Sequence, residues 1–138
     1  MKQRVSVSQI MAKALIAVPT NKKLSEVNQL FIEYNIRHIP VVEAETVVGI
    51  VSSNDILKIG YGVSDLDKDA LDAIYDAYKL TDVMTKNPIV VTDETSIKDV
   101  AEIFSKQQFH SLPVVNKDNE LQGIVTTTDM INYLIAQY

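Results

Sequence analysis

Cysteine and tryptophan are absent from the 138 residues, and glycine and proline occur four times each. Without cysteine the chain has no disulfide framework, no thiol nucleophile and no cysteine-ligated zinc. With so few glycines it has no glycine-rich loop to grip phosphates. Long hydrophobic runs are missing too. The longest, Ala14 to Val18 and Val47 to Val51, fall far below the roughly 20 apolar residues that a membrane-spanning helix needs. The basic start (Lys2, Arg4) ahead of Ile10 to Val18 imitates a signal peptide, but Lys13 interrupts the apolar part, and the expected location is cytoplasmic. Positive charge is in short supply, with 13 Lys and Arg against 18 Asp and Glu, a net charge of −5 and a pI near 4.9. That balance argues against a nucleic-acid or membrane surface as partner. What remains, 46% hydrophobic and 22% charged, is an ordinary globular composition.

The chain repeats itself. Ile10-Met11-Ala12-Lys13 matches Val83-Met84-Thr85-Lys86 at an offset of 73, and the same offset pairs Val27 with Val100, Phe31 with Phe104, and Pro40-Val41-Val42 with Pro113-Val114-Val115. One added residue in the second copy then brings Gly49-Ile50-Val51 onto Gly123-Ile124-Val125 and Asp55 onto Asp129. The insertion falls between two strand-like runs, where a turn absorbs it.

Each copy reads β, α, β, β, α. Short apolar runs (Leu15 to Val18; Ile89 to Val91) predict a first strand. Apolar residues at helical spacing follow: Leu24, Val27, Leu30 and Phe31, then Ile97, Val100, Ile103 and Phe104. Two strands joined by a polar turn come next, Ile39 to Val42 with Val47 to Val51, and Leu112 to Val115 with Leu121 to Val125. Ser52 and Thr126 then open a second helix with capping oxygens. Between the copies, Leu66, Leu71, Ile74, Tyr75 and Tyr78 recur at helical spacing among Asp65, Asp67, Asp69, Asp72 and Asp76, an amphipathic helix over 65–78 with a solvated acidic face. The same aspartates imitate a calcium loop, but Ala70 stands where glycine is needed and Asp76 where a bidentate glutamate is needed. No metal site is expected. The chain divides into repeat 1 (1–59), an inter-repeat helical segment (60–79) and repeat 2 (80–138).

Two copies of a Pro-Val-Val strand, a hairpin and Gly-Ile-Val-[Ser/Thr]-x-x-Asp resemble a tandem pair of cystathionine-beta-synthase (CBS) domains, a Bateman module. The resemblance covers Val7 to Leu134. It implies an α/β (α+β) fold of two β-α-β-β-α repeats packed with pseudo-twofold symmetry as one module. It also implies two clefts that hold AMP, ADP, ATP or S-adenosylmethionine as regulatory ligands, with no obligatory cofactor. In such modules the aspartate of the motif binds the ribose diol, and here that residue is Asp55 and Asp129. The hydroxyls of Ser52, Thr126 and Thr128 would face ribose or phosphate oxygens, with Asn54 replacing a hydroxyl in the first copy.

The resemblance further implies clefts completed across the repeats. A first site would join His38, Ser52, Asn54 and Asp55 to Pro88, Ile89, Phe109 and His110. A second would join Leu15, Ile16, Ile36 and Arg37 to Ser111, Thr126, Thr128 and Asp129. Apolar members would form a slot for adenine and basic members would meet phosphates. Arg37, permanently charged, favours tighter phosphate binding at the second site. The two imidazoles of the first would weaken binding there as pH rises. Asp55 and Asp129 are also good helix-start residues, a role worth about 1 kcal/mol by itself.

No residue constellation suggests an enzyme. The leading expectation is a regulatory module, sensing adenosine ligands and signalling to a partner protein. The resemblance adds a homodimer, with Ile56, Leu57, Ile59, Met130, Ile131, Leu134 and Ile135 as contact candidates. The alternative is a ligand-free interaction or scaffold protein in which dimerisation is the function.

Overall fold

A computed structural model describes residues 5–13, 16–60 and 67–138. In chain order it contains a 3-10 turn (Val7–Gln9), β1 (Val18–Pro19), α1 (Leu24–Tyr34), β2 (His38–Glu43), β3 (Thr46–Ser52), α2 (Ser53–Ile59), α3 (Lys68–Asp76), α4 (Leu80–Val83), β4 (Thr85–Lys86), β5 (Val91–Thr92), α5 (Ile97–Lys106), β6 (Ser111–Val115), β7 (Leu121–Thr126) and α6 (Thr127–Ala136). The mixed α and β class expected from the sequence is the class observed.

Two compact units form. One comprises 1–15, 45–47 and 88–138, and the other comprises 16–44 and 48–87. The repeats along the chain and the compact units are different partitions of the same residues.

The 16–44/48–87 unit holds a sheet of order β1-β2-β3-β4. β1 lies parallel to β2, with Val18 opposite Val41. The predicted first strand, Leu15 to Val18, is thus displaced towards Pro19 and shortened, because its parallel partner engages only at Val41 and Val42. That pairing starts one residue past Pro40, whose ring nitrogen has no proton to give to a ladder. Beneath the sheet, Leu24, Val27, Phe31, Ile39, Val41, Val51, Ile56, Tyr75 and Leu80 form one buried cluster. α1 ends where Asn35 takes the left-handed conformation (φ 51°), a stop that asparagine tolerates better than most residues.

The amphipathic inter-repeat helix is present but shorter than predicted. α3 runs Lys68–Asp76 and is capped by the Asp67 carboxylate, which accepts from the Ala70 N–H. Asp65 and Leu66 lie outside the described residues. Tyr75 is buried in the core, whereas Tyr78 sits beyond the helix and is exposed. Asp76 is not part of a merely solvated face. Its carboxylate accepts the Ser25 N–H at 3.0 Å and the Ser25 hydroxyl at 2.9 Å, which supplies the cap that Lys23 does not provide to α1.

The other unit holds a sheet of order β5-β6-β7. β5 is parallel to β6, with Val91 opposite Val114, again one residue past a proline. Here too the first strand starts later than Ile89. β6 is buried along its whole length, and Val7, Val91, Val100, Leu112, Val114 and Val125 make the core. Val7 comes from the N-terminal segment, which is strapped on by Val7 N–H to Thr95 O (2.7 Å) and Ile97 N–H to Val5 O (2.8 Å).

Each sheet gains an edge from the segment that opens the other repeat in sequence. β4 pairs antiparallel with β3, Gly49 opposite Lys86 and Ile50 opposite Thr85. In the other unit, Ala12 and Ile124 exchange backbone hydrogen bonds of 2.9 and 2.8 Å. These are the Met-x segments that the repeat alignment matched. A Cβ at position 123 would lie 2.6 Å from the Ala12 carbonyl oxygen and 2.7 Å from Met11 Sδ, while one at position 49 would run into Met84 Sδ and Cε. Glycine at both places is therefore a matter of close approach. Gly123→Ala meets rigid backbone and should cost about 2–3 kcal/mol, more than Gly49→Ala, which meets a pliable methionine and should cost about 1–2 kcal/mol. Urea denaturation of the two variants checks that order.

Candidate functional site

The two Gly-Ile-Val strands each run straight into a helix whose start is built in the same way. In α2, the Ser52 N–H donates to Asp55 Oδ2 at 2.8 Å, and the Asp55 N–H donates to Ser52 Oγ at 3.2 Å. In α6, the Thr126 N–H donates to Asp129 Oδ2 at 2.9 Å, and the Asp129 N–H donates to Thr126 Oγ1 at 3.1 Å. Both are reciprocal capping boxes with aspartate as the third helical residue. A further backbone bond locks each start to the strand entrance before it. Ser53 N–H donates to Arg37 O at 2.9 Å, and Thr127 N–H donates to His110 O at 3.0 Å.

Among the described residues, only the amide of the second helical residue, Asn54 or Thr128, lacks an acceptor. Each aspartate uses one oxygen for the cap and keeps Oδ1 without a hydrogen-bond partner among the described residues. An ionised carboxylate accepts about four hydrogen bonds, so capping and ligand contact are compatible roles for one side chain. Asp55 and Asp129 are half-buried, and Asn54 and Thr128 are exposed beside them.

The remaining predicted residues fall out as follows. In the 16–44/48–87 unit, His38 and Ile36 are half-buried and Arg37 is exposed; Arg37 is fixed through its carbonyl to the helix start that carries Asp55. Ile16 is half-buried ahead of β1. In the other unit, Ser111 is buried at 8% exposure, Phe109 and Pro88 are half-buried, and His110 is exposed and fixed to the helix start that carries Asp129. Each unit therefore brings one basic residue to its own helix start by backbone bonding. Ile89 is exposed and lines a groove of about 320 Å³ along α5 with Asp99, Glu102, Ile103, Lys106 and Gln107. Leu15 lies outside the described residues. Among the described residues no group of three or more His, Asp or Glu could hold a metal ion.

The helix faces sort the residues expected at a dimer contact. Ile56 is fully buried, Ile59 packs against the first core and Met130 against the second, so these three serve the interior. Leu57, Ile131, Leu134 and Ile135 are exposed. The last three, with Tyr138, recur at positions i, i+3, i+4 and i+7 and make an uncovered apolar stripe along α6 and just past its end.

One electrostatic feature was not legible in the sequence. Leu121 N–H donates to Glu45 O at 3.0 Å, and Thr46 bridges to Glu120, which sets the Glu45 and Glu120 carboxyls against each other. A hydrogen bond and charge from Glu120 push Glu45 above the ordinary value of 4.5. Glu120 is held below its ordinary value by its hydrogen bonds with Glu45 and with Asn116, whose amide donates to Oε1 at 2.9 Å. Glu120 is thus the member that stays ionised. On the surface of α3, the Asp72 carboxylate raises Lys68. Because Glu45 is raised in the folded state, its contribution to stability is present below the ordinary carboxylate value and is lost as pH rises through the folded value. Glu45→Gln should remove that loss, giving a melting temperature that falls less than wild type between about pH 4.5 and pH 7; melts across that range check it.

The chain belongs to the CBS domain family. The family model matches residues 7–62 and again 80–136. Among curated relatives, an uncharacterised protein, MJ0188, from Methanocaldococcus jannaschii is 34% identical over 96% of this chain and 45% of its own length. An inosine-5′-monophosphate dehydrogenase from Korarchaeum cryptofilum is 28% identical over 84% of this chain and 21% of its own. The chain therefore spans less than half of these relatives. Among solved structures, CBSX2 in complex with AMP is 28% identical, with a TM-score of 0.78 over 96% of this chain and 97% of that one; CBSX2 comes from Arabidopsis thaliana. The CBS domain pair of MJ0100, in complex with 5′-methylthioadenosine and S-adenosyl-L-methionine, is 27% identical, with a TM-score of 0.77 over 94% and 99%. CBS-pair proteins are generally regulatory rather than catalytic. Among the described residues no helix is long and apolar enough to cross a membrane.

Proposed function

We propose that this CBS pair binds an adenosine-containing ligand (AMP, ADP, ATP or S-adenosylmethionine), that it is not itself an enzyme, and that ligand binding is signalled to a partner protein. The observation that carries the reading is the matched pair of helix starts. Each presents a half-buried aspartate with one oxygen next to one amide, each without a partner among the described residues. A ribose diol suits the first, because neighbouring hydroxyls can donate to the free carboxylate oxygen; a phosphate or ribose oxygen suits the second. The AMP bound to CBSX2, and the 5′-methylthioadenosine and S-adenosylmethionine bound to the MJ0100 pair, support the adenosine class.

In this reading Asp55 and Asp129 are the ribose residues. Ser52, Asn54, Thr126 and Thr128 line the helix starts, and His38, Ser111, Arg37 and His110 serve the phosphate or the ligand's polar tail. Pro88, Ile89, Phe109, Leu15, Ile16 and Ile36 supply apolar cover. The uncovered α6 stripe favours a second element of the function, association of two copies. An apolar row of Ile131, Leu134, Ile135 and Tyr138 is the kind of surface that a helix-to-helix contact covers. A ligand-free scaffold would use the same stripe with the helix starts left idle.

Thermal-shift titration separates these readings. At a hundredfold excess over the dissociation constant, a ligand of the native state adds about 2.7 kcal/mol, a rise of several degrees for a domain of this size. Adenosine compounds should produce it and a guanosine control should not. Asp55→Ala and Asp129→Ala should each remove one binding event and also lose about 1 kcal/mol of capping. Asp→Asn at the same positions keeps an acceptor for the cap and should recover the stability but not the binding. Combining Arg37→Ala with each aspartate variant shows which site the guanidinium serves. Absence of any shift in folded, ligand-stripped protein would leave the scaffold reading standing.

A further inference from the structure

The Met-x segments matched by the repeat alignment are used identically by the fold. Met11 precedes Ala12, which bonds to Ile124, and Met84 precedes β4, which pairs with Gly49 and Ile50. In both places the thioether fills the notch over a strand glycine: a Cβ on Gly123 would lie 2.7 Å from Met11 Sδ, and one on Gly49 would run into Met84 Sδ and lie 2.9 Å from its Cε. Both methionines also pack on a core, Met84 on the first and Met11 on the second. Neither residue is fully buried; both are half-buried.

From this we infer a paired oxidation site: hydrogen peroxide converts the Met11 and Met84 thioethers to sulfoxides, and each sulfoxide releases its edge segment from the sheet. The sulfur lone pair attacks one peroxide oxygen, the O–O bond breaks, and the sulfur is oxidised by two electrons. The remaining oxygen is reduced and leaves as water after proton transfer. The product carries a polar S–O group where an apolar sulfur had been set against a glycine backbone. The sulfur already fills the space over the glycine, and the core cluster it packs on is hydrophobic. The least costly relief is detachment of 10–13 from β7 and of 84–87 from β3, because each attachment is a short edge pairing. Met130 supplies an internal control: it is half-buried and packs on the second core from α6, but anchors no edge segment.

The test treats the full chain with hydrogen peroxide, locates sulfoxides by peptide mass mapping, and follows amide hydrogen exchange. In the oxidised protein, exchange at Ala12, Ile124 and Asn87, whose amides bond to Ile124 O, Ala12 O and Val48 O, should rise at least about tenfold. Reduction by methionine sulfoxide reductases of both stereochemical classes should restore protection. The Met11→Leu/Met84→Leu protein should keep its untreated exchange after peroxide, whereas Met130→Leu should respond like wild type. Sulfoxides at both positions with unchanged exchange would overturn the inference. So would oxidation of Met130 while Met11 and Met84 stay reduced, or an equal rise in the double variant. If the double variant fails to fold, the reductase step decides alone: sulfoxides reduced without recovered protection would also overturn it.

Discussion

A β-hairpin leaves the outer edge of its second strand with unpaired N–H and C=O groups, and an open edge invites pairing with another chain. Both repeats of this protein face that constraint on β3 and β7. The chain answers it by exchange: the opening segment of repeat 1 closes the edge of repeat 2, and the opening segment of repeat 2 closes the edge of repeat 1. Much else follows. Glycine is required at 49 and 123 because a methionine-bearing segment passes close over the strand. Val7 becomes core for Val91, Val100, Leu112, Val114 and Val125, far later in sequence. Neither repeat is complete as a continuous stretch of chain, which agrees with the marginal core that about 55 residues can supply.

The strands closed in this way deliver the helix starts. β3 and β7 end at Ser52 and Thr126, and the chain turns directly into α2 and α6 with those residues as caps. The backbone bonds from Ser53 to Arg37 and from Thr127 to His110 tie each start to the strand entrance beside it. Three of the four amides that a helix start leaves over are thereby used locally, by the aspartate, by the cap hydroxyl and by a strand carbonyl. The geometry is stiff because every one of these bonds is made within a few residues of a paired strand.

The sequence carried the parts of this that are local or repeated. Strands β2, β3, β6 and β7 were legible to within a residue or two from their apolar runs, and the capping serine and threonine from their place after Gly-Ile-Val. Long-range features were not. Nothing in the acidic pattern of 65–78 distinguishes Asp76, which caps a helix 51 residues upstream, from neighbours that face water. The first strands were misplaced by up to three residues because parallel pairing, not apolar content, sets where they begin. The opposition of Glu45 and Glu120 depends on a bridge between two hairpins, which periodicity cannot reveal. The pairing of each aspartate with its capping hydroxyl was readable, since both copies keep it.

The division of labour within each aspartate bears on how a ligand would act. Oδ2 is used in the capping box, and Oδ1, without a hydrogen-bond partner among the described residues, is the atom able to receive hydroxyls. Under the proposed function, binding spends little free energy on ordering the helix start, because the side chain is already held in place. It also follows that occupancy does not have to break the cap, so the helix start is a poor candidate for the moving part. A ligand shifts a conformational equilibrium only through its different affinity for two arrangements. Apart from any such switch, the two copies are unlike at Asn54 against Thr128, His38 against Ser111 and Arg37 against His110. Those are the positions at which the two repeats, otherwise built alike at their helix starts, offer a ligand different chemistry.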